Sequence, residues 1–296
     1  MKKLLLLAVA GLAFAGVAVV ALQQWSIGKP VTLDIKLGDP NRGAYLARMA
    51  GCITCHTNTE AGDPPLAGGL ALPTQFGTFY SPNLTTDRKT GMGDWTVKDF
   101  ARAVRQGVSP AGEPYYPAFP YPFFTKLTDQ DIADLWAAFK TVPAASVPSK
   151  TQDIKFPYSF RDGLKLWRAA FVDFTPFEPD PSKSELWNRG KYIVEGVAHC
   201  GACHTPRNLA GVRQIELRFT GADGLPEGGK SSPITTKALK ENGWEINTLK
   251  YALKTGVQPD GDTFGGSMGE VVRDGTSFLG DDDLTAIATY LLEKDQ

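Results

Sequence analysis

The chain has 296 residues, of which 42% are hydrophobic and 21% are charged. That length accommodates about two domains, and the apolar content supports a packed core and excludes wholesale disorder. With 31 Lys and Arg against 32 Asp and Glu, the formal net charge is -1. This balance provides no excess positive charge to bind the phosphate backbone of a nucleic acid, so we expect no nucleic-acid partner.

The first predicted element is an apolar segment at the N-terminus. Two lysines precede an uncharged run over residues 4–22, which as a helix would span roughly 28 Å, about the thickness of a bilayer's hydrocarbon core. The alternative is a cleaved signal peptide, for which Ala-Phe-Ala at 13–15 is a candidate cleavage site. Because the run continues past that site and Trp25 follows it like an interfacial anchor, we favour a membrane anchor over residues 1–25.

The remaining chain contains an internal repeat. Asn-Arg-Gly-x-Tyr occurs at 41–45 and again at 188–192. Cys-x-x-Cys-His-Thr occurs at 52–57 and again at 200–205. Further matches follow at a constant offset of 149 residues. One duplicated module explains all of these matches.

Each repeat predicts the same order of helices. A helix carrying Asn-Arg-Gly-x-Tyr ends near Cys-x-x-Cys-His, and a long loop rich in Gly and Pro follows. A second helix begins near Trp95 or Trp244, and a terminal helix begins with acidic residues, which suit the positive end of a helix dipole. No window shows sustained strand alternation, so the fold class is mostly α. The predicted domains are residues 37–142 and 188–296, joined by a Pro-rich linker at 143–187.

Both Cys-x-x-Cys-His segments match the attachment signature of c-type haem. Two thiols three residues apart can add to the two vinyl groups of one porphyrin, and the adjacent His then binds the iron as proximal ligand. We therefore predict two covalently bound haem c groups. The residues that would hold them are Cys52, Cys55 and His56 in the first repeat, and Cys200, Cys203 and His204 in the second.

Three other uses of the four cysteines agree less well with the sequence. Two disulfides would give no reason for a His after both pairs, and one zinc site would have to join pairs that lie 148 residues apart. Thioredoxin-like redox pairs would need a βαβ pattern around them, which the sequence does not show. The remaining histidine, His199, directly precedes Cys200, and we predict that it packs or faces solvent rather than binding iron.

Methionine is the expected sixth ligand, because thioether ligation raises the reduction potential of a haem. Met268 lies 64 residues after His204, in a Gly-rich segment before the terminal helix, and is the predicted ligand of the second haem. The 149-residue offset places Phe119 at the matching position in the first repeat, and a phenyl ring cannot donate to iron. Met92 is the tentative ligand of the first haem, which otherwise lacks a strong sixth ligand. Met49 lies on the proximal helix, where it is poorly placed.

These motifs resemble those of a known family. Asn-Arg-Gly-x-Tyr, the His-Cys-Gly-Ala-Cys-His-Thr-Pro-Arg-Asn segment at 199–208 and Tyr-Pro-Ala-Phe-Pro-Tyr at 116–121 look like the cytochrome c subunits of membrane-bound bacterial dehydrogenases. Those dehydrogenases oxidise alcohols, aldehydes, gluconate and related compounds. The resemblance implies tandem class I cytochrome c domains. This chain departs from it in two ways, since many such subunits have three haem modules and some have Met in place of Phe119.

From these observations we expect a membrane-anchored dihaem cytochrome c on the periplasmic side of the bacterial cytoplasmic (inner) membrane. Its partners would be the membrane, a dehydrogenase large subunit or quinol-side donor, and an oxidase or soluble cytochrome c as acceptor. We expect an electron-transfer subunit rather than an enzyme by itself, because the sequence shows no dinucleotide loop and no nucleophile elbow. The alternative is a haem redox enzyme that uses an open coordination site at the first haem.

Overall fold

The computed structural model describes residues 2–29, 32–34, 37–225 and 229–294. The chain is mostly helical. In chain order its α-helices are α1 Lys2–Gln24, α2 Pro40–Met49, α3 Cys52–His56, α4 Val97–Gln106, α5 Tyr121–Phe124, α6 Asp129–Phe139, α7 Gly163–Phe171, α8 Glu185–Tyr192, α9 Thr236–Glu241, α10 Ile246–Thr255, α11 Gly266–Asp274 and α12 Asp281–Glu293. Short strands lie between them: β1 Ala71–Thr74, β2 Gly77–Tyr80, β3 Asp153–Ile154, β4 Ala222–Asp223 and β5 Lys230–Ser231.

The strands form two small antiparallel sheets that the sequence pattern does not reveal. Strands β1, β2 and β3 form one sheet in that order, and β4 pairs with β5. In the first sheet, Ala71 is opposite Tyr80 and Gly77 is opposite Ile154. These strands are two to four residues long, which is too short for a recognisable alternation of apolar and polar residues. Strand β3 belongs to the predicted linker, so the linker packs against the first repeat.

The predicted N-terminal transmembrane helix is wrong. Helix α1 is 23 residues long, but among the described residues no helix combines the length and the apolar character needed to span a bilayer. The run over residues 4–22 contains six Ala and two Gly. An uncharged stretch of this length was not sufficient to predict a spanning helix.

In each repeat the first and last helices cross at a glycine. Gly43 of α2 lies against α6, where a Cβ atom would collide with the carbonyl group of Asp134. Gly190 of α8 lies against α12, where a Cβ atom would collide with the carbonyl oxygen of Ala286. This close approach of two backbones explains why the repeated Asn-Arg-Gly-x-Tyr motif contains glycine.

The helices that follow the attachment segments begin and end on local signals in the sequence. Thr96 and Asp99 form a capping box at the start of α4, and Gly107 ends this helix in the left-handed conformation with φ 62°. Thr128 and Asp131 form the same capping box at the start of α6. Reciprocal capping satisfies backbone N–H groups that have no partner within the helix, so these starts are fixed locally.

The two repeats pack against each other around one continuous hydrophobic core. Buried side chains of both repeats belong to one cluster, which includes Leu46 and Phe124 of the first repeat and Ile193 and Leu284 of the second. The linker helix α7 also joins the repeats. Trp167 Nε1 donates to Ala210 O of the second repeat at 2.8 Å. The adjacent Arg168 Nε donates to Gln106 O of the first repeat at 2.8 Å.

Candidate functional site

The first Cys-x-x-Cys-His segment borders a cavity of about 250 Å³, here called the first cavity. Gly51 precedes it with φ 67°, a left-handed conformation that lets the chain turn from α2 into the single helical turn of α3. The side chains around the first cavity are predominantly apolar or aromatic, and they include Cys52, Cys55, His56, Leu84, Met92, Phe100, Tyr115, Phe119, Phe124 and Leu135. Such a lining accepts a flat apolar group beside two thiols and an imidazole.

The second segment has the same local construction. His199 takes the place of Gly51 and has φ 40°, which is uncommon for a residue other than glycine. A single 3₁₀ turn over Cys200–Ala202 follows. Cys200 and Met268 are both partly buried and pack against the hydrophobic core, with Met268 in the first turn of α11.

Each proximal histidine is oriented by a backbone carbonyl group. His56 Nδ1 lies 2.8 Å from Pro82 O, and His204 Nδ1 lies 2.7 Å from Ser232 O. A hydrogen bond from Nδ1–H places the proton there and leaves the lone pair of Nε2 free for a metal. Burial lowers the pKa of His56 to about 4 and also lowers the pKa of His204, so both imidazoles are neutral near pH 7.

The four thiols are available for covalent attachment. None of them forms a disulfide, and burial raises the pKa of Cys52 and of Cys200 to about 12. Within the described parts of the chain, no three His, Cys, Asp or Glu side chains converge as a metal-ligand set.

The two segments lie next to each other across the interface between the repeats. His199 Nε2 is 3.2 Å from Ala50 O, two residues before Cys52. Burial, and then the charge of Cys203, raises the pKa of Cys55 to about 11. The ring of His199 also meets Phe124 edge-on, with 5.6 Å between centroids. The tertiary structure therefore joins two attachment segments that are far apart in sequence.

The structure brings the predicted residues of the first repeat together. Cys52, Cys55, His56 and Met92 border the first cavity, as does Phe119, which matches Met268 in the repeat. Sequence reasoning missed the carbonyl groups that orient the histidines. Pro82 and Ser232 are 150 residues apart (232 − 82), which differs from the 149-residue offset, and a backbone carbonyl group leaves no residue-type signal in a sequence.

The comparisons with known proteins agree with this arrangement. The cytochrome c family model matches residues 40–139. The dihaem cytochrome c-type protein of Cereibacter sphaeroides is 39% identical over 272 residues, which cover 89% of this chain and 90% of that protein. The chain therefore belongs to the family of dihaem c-type cytochromes. It is an electron-transfer protein that carries covalently bound haem c, as the sequence predicts.

Relatives in dehydrogenase complexes are longer than this chain. The gluconate 2-dehydrogenase cytochrome c subunit of Pantoea cypripedii is 40% identical over 262 residues, which cover 84% of this chain and 58% of that subunit. The fructose dehydrogenase cytochrome subunit of Gluconobacter japonicus is 37% identical over 255 residues, which cover 85% of this chain and 51% of that subunit. The chain thus spans little more than half the length of these relatives, and the predicted resemblance to dehydrogenase cytochrome c subunits is confirmed.

Proposed function

We propose that the chain is a dihaem relay that accepts electrons from a dehydrogenase or quinol-side donor and passes them to a terminal oxidase or soluble acceptor. One haem is attached to Cys52 and Cys55, with His56 as proximal ligand. The other is attached to Cys200 and Cys203, with His204 as proximal ligand. Bound haem supplies the one-electron chemistry. The protein contributes attachment, orientation and exclusion of water.

The observation that carries this proposal is the contact between the two attachment segments. His199 adjoins Cys200 and contacts Ala50 O near Cys52, and the thiols of Cys55 and Cys203 lie close enough for their charges to interact. Groups attached at these positions lie close to each other, as an electron relay requires. The buried core around the interface holds that spacing fixed, because packed interiors deform little.

One further residue, the domain boundaries and a location belong to the proposal. Met268 supplies the sixth ligand of the second haem, since it follows His204 by 64 residues and lies partly buried against the core in the first turn of α11. We also propose two domains, residues 37–142 and 188–296, each containing one attachment segment, with residues 143–187 as the linker. We also place the protein on the periplasmic side of the cytoplasmic membrane, together with its dehydrogenase. Fractionation of cells into cytoplasm, periplasm and membrane tests this location, and recovery of holoprotein from the cytoplasm would contradict it.

The haem assignment is tested by counting haem after acid-acetone extraction, which removes only groups that are not covalently attached. Wild type should retain two haems per chain. Replacing Cys52 and Cys55 by Ala should leave one haem, and replacing Cys200 and Cys203 by Ala is the matched control that should leave the other. Retention of both haems in either variant would overturn the assignment. A potentiometric titration of wild type should show two one-electron steps.

A further inference from the structure

The first cavity contains an aromatic ring at the position where the second repeat has a methionine. Phe119 matches Met268 at the 149-residue offset and lines the same cavity as His56. Its ring is held edge-on by Tyr115, with centroids 5.9 Å apart, and by Phe124, with centroids 5.8 Å apart. A phenyl ring held in this way excludes water but offers no lone pair to iron.

Met92 is the competing source of a sixth ligand, because it also borders the first cavity. Its main chain is fixed on both sides, since Met92 N donates to Thr85 O at 2.8 Å and Met92 O accepts from Trp95 N at 3.1 Å. The flanking glycines are wedged against backbone, where a Cβ atom on either would collide with a carbonyl oxygen. The Met92 side chain is 4% exposed and belongs to the hydrophobic core. We assign Met92 to the wall of the cavity.

We propose that the Phe119 side of the first cavity is an open coordination position that admits a small neutral diatomic ligand to the iron. This goes beyond electron transfer and rests on haem attachment at Cys52 and Cys55. The cavity lining is mainly apolar, and Arg161 is the one cationic arginine or lysine among the residues that line it. An anion would therefore depend on Arg161 to replace its hydration, whereas a neutral ligand needs no charged partner there. Tyr115 borders the same space. Burial raises the pKa of its phenol to about 12, so the group stays protonated and can donate a hydrogen bond.

Carbon monoxide is the probe, added to the reduced holoprotein and followed by the shift of the haem absorption bands. We expect saturation at one carbon monoxide per chain that holds two haems. The oxidised protein should give one low-spin and one high-spin signal by electron paramagnetic resonance. Phe119→Met should abolish carbon monoxide uptake by supplying a thioether, while the matched control Phe119→Leu should retain it. The haem count after acid-acetone extraction should be two in every variant, which separates loss of an open position from loss of attachment.

Two results would overturn the proposal. If wild type takes up no carbon monoxide and Met92→Leu takes up one per chain, Met92 occupies the sixth position. Uptake that is unchanged in Phe119→Met, with both haems present, would place the binding position away from Phe119. Because the wild-type and Met92→Leu measurements need no Phe119 variant, a folding defect in Phe119→Met would not leave the question open.

Discussion

The hydroxyl of Tyr45 donates to Asp283 Oδ2 at 2.7 Å, although 238 residues separate them in sequence. The same hydroxyl accepts from Gly280 N at 3.1 Å. A matching set exists on the other side of the interface, where Tyr192 donates to Asp131 and accepts from Thr128 N at 3.2 Å. Each repeat therefore places its motif tyrosine on the terminal helix of the other, and the two repeats meet through a pseudo-two-fold interface.

Removing the Tyr45 hydroxyl should weaken this interface. Asp283 already accepts from Arg189 at 2.7 Å, so Tyr45→Phe leaves the carboxylate paired. The substitution removes the hydrogen bond to the charged Asp283 and the one from Gly280 N, together worth about 2–3 kcal/mol. Urea denaturation should show the free energy of unfolding falling by that amount, with a similar fall for Tyr192→Phe. Tyr251, which is 57% exposed, provides the control, and Tyr251→Phe should change little. Equal effects at all three positions would contradict the interface role.

Acid should destabilise the fold partly through Asp283. Burial alone would raise the pKa of this carboxyl group, but hydrogen bonds from Arg189 and Tyr45 outweigh burial and lower it. A lowered folded-state pKa adds stability above the unfolded value of about 3.9, and that stability is lost as the pH falls below it. Between about pH 5 and about pH 2, the free energy of unfolding should fall less steeply with falling pH for Asp283→Asn than for wild type. An unchanged slope would show that the carboxylate contributes no linkage.

His199 should stabilise the junction between the attachment segments through its side chain, at a cost in backbone conformation. His199→Ala loses the contact with Ala50 O and keeps the strained left-handed backbone, so we expect the free energy of unfolding to fall by about 2 kcal/mol. His199→Gly loses the same contact but relaxes the backbone, so its loss should be smaller by about 1 kcal/mol. Thermal unfolding of the holoproteins measures both. Equal losses would mean that the left-handed conformation is not strained.

Met268 should set the potential of the second haem. Met268→Leu removes the thioether, which should eliminate the methionine-to-iron charge-transfer band of the oxidised protein and lower one of its two reduction potentials. Met49→Leu is the control, because Met49 is 5% exposed in α2 and is not a proposed ligand. A band that persists in Met268→Leu would show that another side chain ligates that haem.

Much of the candidate site could be predicted from the sequence, because covalent attachment demands a fixed local pattern. Cys52, Cys55 and His56 are adjacent enough in sequence to act together whatever the rest of the chain does, and the same holds for the second segment. The partner of His56 could not be predicted in this way. Pro82 O orients it at 2.8 Å, but a backbone carbonyl group leaves no residue-type signature in a sequence. The short strands β1 and β2 were missed because they pair too few residues to show periodicity.

The sequence by itself determined the repeat, the two attachment segments and the mostly helical class. It also showed that Phe119 stands where the second repeat has Met268. Each of these depends on residue identity or short-range spacing. Only the tertiary structure decided how the repeats meet. Tyr45 reaches Asp283 and His199 reaches Ala50 through the packing of a shared core, and contacts over such separations depend on three-dimensional packing rather than on local sequence pattern. The same limit applies to α1, whose uncharged sequence suggested a membrane span that the structure does not support.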